Sequence, residues 1–176
     1  MVRSRDTFDD TVRREIVSVR RYALSITRDP WLADDVVQET FLRAWRYWDS
    51  FRGDSTRQAW LIRICRNVAF DSLRLRGEVT APREPDITRI ESPLLSPETI
   101  DNLAEVSLEH REVLVLIDFL GYDYATVAVA LDCPVGTVRS RLNRARRAYR
   151  TATVKDRKST RLNSSHEWIS RMPSSA

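Results

Sequence analysis

Residues 124–149, "YATVAVALDCPVGTVRSRLNRARRAY", have the spacing of two short helices joined by a tight turn. Two helices that cross closely need a small residue at the crossing point, and Ala128 provides one. Leu131 and Val138 are apolar where the pair of helices would meet a core. Asp132 occupies the turn position that often needs a positive φ, where Gly is the usual residue. The stretch therefore predicts a helix-turn-helix.

The second helix of this pair has a basic outer face. Its apolar stripe consists of Val138, Leu142, Ala145 and Tyr149. Cationic and polar residues lie opposite or beside that stripe: Arg139, Ser140, Arg141, Asn143, Arg144, Arg146, Arg147 and Arg150. No carboxylate occurs in residues 135–150. A helix face that only meets water usually mixes both signs of charge, so this face predicts contact with the major groove of DNA.

The composition favours an all-α fold. The chain has 176 residues, 42% of them hydrophobic, with only 4 Gly, and its apolar residues recur at helical spacing. Without residues 155–176 the chain has 24 basic and 23 acidic residues, so the arrangement of charge matters more than its total. Two distant cysteines argue against a disulfide framework or a zinc site. The absence of a long apolar run and of an apolar leader predicts a soluble cytoplasmic protein without membrane insertion.

Helical patterns fall into two groups, which predict two small domains. Residues 1–76 hold three predicted helices, at about 6–28, 30–48 and 57–76. Residues 77–99 contain four prolines and little periodicity, which is typical of a flexible linker. Helical spacing returns over residues 100–154, and the helix-turn-helix ends this second domain.

The second predicted helix has an acidic and polar face. Asp35, Gln38, Glu39 and Leu42 follow one another at spacings of three and four residues, which place them on one side of a helix. Carboxylates around an apolar residue suit a partner helix that carries Arg. An ordinary solvated acidic face remains the alternative.

The third predicted helix has cations interleaved with an aromatic residue. Opposite its apolar stripe lie Arg63, Arg66, Asn67, Phe70 and Arg74. Such a face suits single-stranded DNA, because cations neutralise phosphates and an aromatic ring stacks on unpaired bases. Packing of Phe70 within its own domain is the alternative. We expect the nearby aromatic residues to belong to the core: Trp45, Tyr47, Trp48 and Trp60.

Four motifs in order resemble the extracytoplasmic-function sigma factors of the sigma-70 family. They are "ADDVVQETFLRAW", "WLIRICRNVAFDSLRLR", "LEHREVLVL" and "GTVRSRLNRARRAYR", and the resemblance covers residues 8 to about 152. It implies a promoter-specificity subunit of bacterial RNA polymerase. The first domain would bind the polymerase clamp and open the minus-ten element, and the second would bind the minus-thirty-five element. Core polymerase, duplex and melted promoter DNA and an anti-sigma factor are the implied partners.

The resemblance also assigns roles to residues. The acidic face of the second helix would dock on a coiled coil of the polymerase. The loop "DSFRGDS" would hold a flipped base, with Phe51, Arg52 and Asp54 as the contacting residues, beside the cationic face of the third helix. The residues implied for the minus-thirty-five element are Thr137, Arg139, Ser140, Arg141, Asn143, Arg144, Arg147 and Arg150.

Three positions depart from the family's usual residues, and two other functions are alternatives to the one that the resemblance implies. Ser107, Thr126 and Asp132 stand where a Leu-Pro pair, a Glu and a Gly are frequent. A stand-alone helix-turn-helix regulator would leave the first domain without a role. An enzyme is disfavoured because the sequence has no Cys/His cluster, no Gly-rich phosphate loop and no paired carboxylates at a plausible spacing, and no cofactor or metal is expected.

The C-terminal segment, residues 155–176, predicts a disordered and non-native tail. From Asp156, "DRKSTRLNSSH" back-translates into codons that look like a widely used short-read sequencing adapter. Glu167 and Trp168 fit a barcode, and "ISRMPSSA" fits the constant region that follows. We therefore expect residues 156–176 to be extended or poorly packed, and the native sequence to end near Val154 in this chain.

Overall fold

The structure, a computed structural model, describes residues 3–51, 53, 55–77 and 95–169, with side chains from Phe8 to Lys155. All the regular elements in these ranges are helical, which confirms the all-α prediction. The linker residues 78–94, and with them most of the predicted linker, lie outside the described residues.

Three helices form the first half of the chain. Helix α1 spans Arg3–Thr27, α2 spans Pro30–Arg46 and α3 spans Arg57–Leu75, with a short 3-10 turn at Trp48–Ser50. The starts of α2 and α3 follow from local capping signals. Asp29 caps α2 by accepting hydrogen bonds from the backbone N–H groups of Trp31 and Leu32, and Thr56 caps α3 in the same way. The core between the three helices contains Val19, Tyr22, Ala23, Leu24, Leu32, Ala33, Val36, Leu61, Ile62, Cys65 and Val68.

The second half begins earlier than the sequence suggested. Helix α4 spans Pro97–Ala104, because Ser96 caps it and Pro97 suits the first helical position. Leu95, assigned to the linker, is fully buried. Helix α5 (Leu108–Leu114) continues into a π-helical turn at Val115–Phe119, and α6 (Tyr124–Ala130) and α7 (Val135–Ile169) follow.

The turn between α6 and α7 has the predicted geometry. Asp132 has a φ of 51°. The N–H of Cys133 donates to the carbonyl oxygen of Ala128 over 3.0 Å. Leu131 and Val138 are buried on the inner side of the turn. The helix-turn-helix is thus present at the residues that predicted it.

Two apolar residues of these helices lie on the surface. Leu75 is 89% exposed, in the last turn of α3. Ile16 of α1 is also exposed. The backbone of α7 continues as helix to Ile169, and the packing of its side chains beyond Lys155 lies outside the described residues. Extending an anchored helix costs far less than starting one, and no Pro or Gly interrupts this stretch before residue 173.

The two halves are in contact. Helix α3 packs on α6, and α1 packs on α5 and on the π-helical turn that follows it. The α3 face that was assigned to single-stranded DNA therefore meets the second half of the chain.

Candidate nucleic-acid and protein interfaces

The outer face of α7 presents most of its predicted basic residues to solvent. Val138, Leu142 and Ala145 are buried against α5 and α6, so the opposite side of α7 is left outside. The side chains exposed there are Arg139, Ser140, Asn143, Arg144, Arg147 and Arg150, while Thr137 and Arg141 are half-buried. The result is an exposed cationic face on one helix, a kind of surface that a major groove can accept.

Acidic residues of the same half hold some of these arginines in place. Arg141 forms an ion pair with Glu109 at 2.9 Å. Arg146 donates two hydrogen bonds to Asp118, at 2.8 and 2.6 Å, and this contact raises the pKa of Arg146. Arg141 and Arg146 are thus partly neutralised by the protein itself.

The remaining arginines of α7 have weaker constraints. The guanidinium of Arg139 lies over the ring of Tyr124, 5.6 Å from its centre. Arg150 donates its Nε–H to the backbone oxygen of Arg146. Within the described part of the chain, no acidic side chain pairs with Arg144 or Arg147. Arg144 and Arg147 are therefore available to an external anion.

The predicted acidic face of α2 is present and mostly exposed. Asp35, Gln38 and Leu42 are exposed. Glu39 is half-buried, and it accepts a hydrogen bond from Arg43 at 2.6 Å. The sequence pattern placed all four residues on one face, but it did not show that Glu39 has an internal partner.

The loop before α3 is anchored by aromatic packing. Phe51 lies 5.2 Å from Trp60, and Trp60 lies 6.1 Å from Trp48. Trp48 is buried and Trp60 is half-buried, as expected of core residues. Arg52 and Asp54, the other two residues assigned to this loop, lie outside the described residues.

Trp45 and Tyr47 are not core residues, and that expectation is wrong. They are 44% and 55% exposed. Both follow the outward-facing Leu42 along the end of α2, where the helix gives way to the 3-10 turn. Together with Leu42, they form an exposed apolar margin beside the acidic face.

The cationic face of α3 is partly covered. Arg66 pairs with Glu112 of α5, at 2.7 Å from Nε and 3.4 Å from an Nη nitrogen. It also lies over the ring of Phe70, 4.8 Å from the centre. Arg63 donates to the carbonyl oxygen of Val129 in α6. The structure places the two central arginines of this face against the second half.

The other two polar residues of that face are exposed. Asn67 is exposed, and Arg74 lies 3.8 Å from Asp71, one turn earlier on the same helix. Phe70 is half-buried, so it contributes to packing as well as to the surface.

Sequence reasoning missed the residues that meet α3 from the other half. Glu112 is 1% exposed, although it is a carboxylate in the apolar run "REVLVL". Its position inside that run was the available signal, because a charge on a buried helix face needs a partner. Its other partner is the hydroxyl of Tyr22, at 2.8 Å. Burial, together with the charge of Glu112, raises the pKa of Tyr22 well above its usual range.

Arg111 is a second missed residue. It donates to the backbone oxygens of Ala104 and Val106 in its own half, and to that of Ser25 in α1. Burial lowers the pKa of Arg111 to about 10. The guanidinium therefore ties the end of α4 to the end of α1.

The described residues contain no cluster of metal-ligating side chains. Among the helices that the structure describes, none combines the length and the apolar character needed to cross a membrane.

Two family models match the two halves of the chain. The model described as Sigma-70 region 2 matches residues 11–78, and that described as Sigma-70, region 4 matches residues 102–148. The first match contains α3 and most of α1, and the second contains the helix-turn-helix.

Several characterised proteins are similar to this chain over most of its length. The ECF RNA polymerase sigma factor SigL of Mycobacterium tuberculosis is 38% identical over 141 residues, covering 74% of this chain and 79% of SigL. EcfG of Rhodopseudomonas palustris, also described as an ECF RNA polymerase sigma factor, is 35% identical over 151 residues, covering 80% and 82%.

Two solved structures have a similar fold. One is the sigma factor RpoE of Bartonella quintana in complex with the anti-sigma factor NepR, with a TM-score of 0.70 and 27% identity, covering 84% of this chain and 96% of RpoE. The other is CnrH in complex with the cytosolic domain of CnrY, with a TM-score of 0.67 and 27% identity, covering 86% and 90%.

Proposed function

The chain belongs to the extracytoplasmic-function sigma factors of the sigma-70 family, which give RNA polymerase its promoter specificity, and on that basis we propose how its surfaces divide this work. The observation that carries the proposal is the exposed face of α7, whose arginines are not all neutralised from within. Residues 1–76 would be the polymerase-binding and minus-ten domain. Residues 100–154, extended to Leu95 by the packing, would be the minus-thirty-five domain.

The α7 face would bind the upstream element. Arg139 and Arg144, with Ser140 and Asn143, would approach base edges or nearby phosphates, and Arg147 and Arg150 would hold the DNA backbone. Thr137 lies near the start of α7, where it would face the same groove. Because Arg141 is held by Glu109, we assign to it a weaker role than the sequence alone suggested.

The α2 face would bind core polymerase. Asp35, Gln38 and Leu42 are exposed together, beside the apolar margin of Trp45 and Tyr47. A surface of this composition suits a helix that carries Arg. Glu39 would exchange its bond with Arg43 for one with the partner.

The face of α3 and the preceding loop would bind the melted minus-ten strand. Arg63, Arg66, Asn67 and Arg74 supply cations and hydrogen-bond donors, and Phe70 supplies a ring. Phe51, Arg52 and Asp54 would hold the flipped base.

Two small DNA-binding surfaces on one chain bind weakly alone. Core polymerase would fix their separation, which makes the second contact intramolecular and raises overall affinity. A role as a stand-alone regulator leaves the α2 face without a function. A role as a polymerase subunit gives a function to the α2 face as well as to the α7 face.

Three further properties accompany this role. The protein would act in the cytoplasm, where polymerase and promoters are located. It would have no catalytic activity and no cofactor of its own. An anti-sigma factor is a proposed partner, since the sigma factor RpoE, which has a similar fold, has been solved in complex with the anti-sigma factor NepR.

A double substitution on α2 tests the assignment. We expect Asp35→Arg with Glu39→Arg to abolish co-purification with core polymerase, because it places two cations before an Arg-bearing partner. The control is Asp34→Arg on the same helix, since Asp34 is turned toward Arg20 of α1, 2.6 Å away. Circular dichroism confirms that each variant is folded. Normal polymerase binding by the double variant contradicts the assignment.

A further inference from the structure

A cation–π contact joins the two helices of the helix-turn-helix. Tyr124 is the first residue of α6, and Arg139 lies near the start of α7. The guanidinium carbon of Arg139 is 5.6 Å from the centre of the Tyr124 ring, within the range over which a ring attracts a cation. Because Arg139 is exposed, this contact lies on the outer surface of the motif.

The ring of Tyr124 belongs to the ordered framework of the second half. It is half-buried and packs against the buried core. The preceding residue, Asp123, caps α6 by accepting hydrogen bonds from the backbone N–H and the hydroxyl of Thr126, both at 2.8 Å. The start of α6 is therefore fixed, and the ring is held with it.

Arg139 has a different kind of partner from its neighbours on α7. Arg141 pairs with Glu109, and Arg146 pairs with Asp118. Among the residues that the structure describes, no carboxylate pairs with Arg139. An aromatic ring carries no net charge, so it restricts the orientation of the guanidinium without neutralising it. The charge of Arg139 thus remains available to DNA, while its side chain is partly fixed.

We propose that Tyr124 is a positioning residue for promoter recognition, whose ring holds the guanidinium of Arg139 in the orientation that reads a base pair of the upstream element. The proposal rests on the assignment of the α7 face to that element. Residues near the start of the second helix of such a motif contact base edges. A guanidinium identifies guanine only when its planar fork meets two acceptors of the base. A side chain that is oriented in advance loses less entropy when that contact forms.

The test measures base discrimination by polymerase reconstituted with the full chain. A promoter is first found by sequencing the transcripts that this polymerase makes. Each base pair of its minus-thirty-five element is then replaced in turn, and discrimination is the ratio of the affinities for the original and the replaced base pair. Arg139→Ala identifies the base pair that Arg139 reads, because discrimination there should fall roughly tenfold.

Three replacements of Tyr124 separate the ring from its size and its hydroxyl. Tyr124→Leu should lower discrimination at the same base pair roughly threefold, as expected for an exposed cation–π contact. It should have no further effect in a chain that already carries Arg139→Ala. Tyr124→Phe keeps the ring and should keep full discrimination. Pentafluorophenylalanine at position 124 keeps the shape of the ring but reverses its quadrupole, so it should act as Tyr124→Leu does. This variant keeps the proposal testable if the leucine variant fails to fold by circular dichroism.

The matched control is Tyr149→Leu. Tyr149 is another half-buried tyrosine of the second half, and its ring packs against that of Phe119, with 5.9 Å between the ring centres. Its replacement should lower the midpoint of thermal denaturation and leave discrimination unchanged at every base pair. The control therefore separates a general loss of stability from a loss of positioning.

Two results would overturn the positioning role alone. One is unchanged discrimination in both ring-altered variants, or a loss at a base pair other than the one that Arg139→Ala identifies. The other is an equal loss in Tyr124→Phe and Tyr124→Leu, because the hydroxyl would then be the active group. If Arg139→Ala lowers discrimination at no base pair, the assignment of Arg139 to the upstream element is itself wrong, and the positioning role falls with it.

Discussion

Single replacements of the α7 arginines distinguish residues that hold DNA from those that hold the fold. Arg147 is exposed and pairs with no described acidic side chain, whereas Arg146 is fixed to Asp118 by two hydrogen bonds. Each phosphate contact contributes about 0.9 to the slope of log affinity against log salt concentration. Over an about fourfold rise in salt concentration, one contact therefore weakens binding roughly 3.5-fold.

We expect Arg147→Ala to lower the salt slope by about 0.9. Arg146→Ala should leave the slope unchanged, because its charge is already compensated by Asp118. Its effect should instead be a loss of at most about 1 kcal/mol in the free energy of unfolding, the usual range for a surface ion pair.

The assay measures promoter binding by the reconstituted polymerase as a function of salt concentration. The promoter is one identified by sequencing the transcripts that this polymerase makes, and binding is followed by fluorescence anisotropy of labelled DNA. Thermal denaturation of each variant gives the stability term separately. Equal changes of slope in Arg146→Ala and Arg147→Ala, or an unchanged slope in Arg147→Ala, would refute the division between the two arginines.

Three other outcomes are expected. Asp132→Gly should raise the free energy of unfolding by up to about 1 kcal/mol, because Gly adopts the positive φ without strain and this gain exceeds the entropy that Gly adds to the unfolded chain. A lower midpoint of thermal denaturation would contradict this. Iodoacetamide at pH 8 should modify Cys133 and not Cys65 in the folded protein, because burial raises the pKa of Cys65 to about 12 and Cys133 is only partly buried; equal labelling by mass spectrometry would contradict it. Truncation after Val154 should leave promoter-dependent transcription intact, since Ala152 is the last buried residue of α7 in the described part of the chain; loss of transcription would show that the tail has a function.

The elements of the fold were predictable where their signals are local. Asp29 and Pro30 mark the start of α2 by capping and by backbone restriction, and both effects act within a few residues. The turn at Asp132 and the buried stripe of α7 were found for the same reason. Each depends on the chemistry of neighbouring residues, which the sequence displays directly.

The partners of the charged residues were not predictable in this way. Arg141 meets Glu109 and Arg66 meets Glu112 only because separate helices pack together. Helical periodicity shows which way a side chain points along its own helix, but not which element lies opposite. The sequence could therefore place Arg66 on a cationic face, but it could not show that this face is covered.

The contacts between the two halves differ in how they respond to sequence drift. Arg63 and Arg111 end on the main-chain oxygens of Val129 and Ser25, and such an oxygen is present whatever residue a mutation introduces there. The junction at Glu112 needs particular side chains on both halves. A substitution at Val129 keeps the carbonyl oxygen that accepts from Arg63. A substitution at Glu112 removes the acceptor of both Tyr22 and Arg66. As related sequences diverge, the bonds of Glu112 to Tyr22 and Arg66 would therefore be lost before the bonds of Arg63 and Arg111 to carbonyl oxygens.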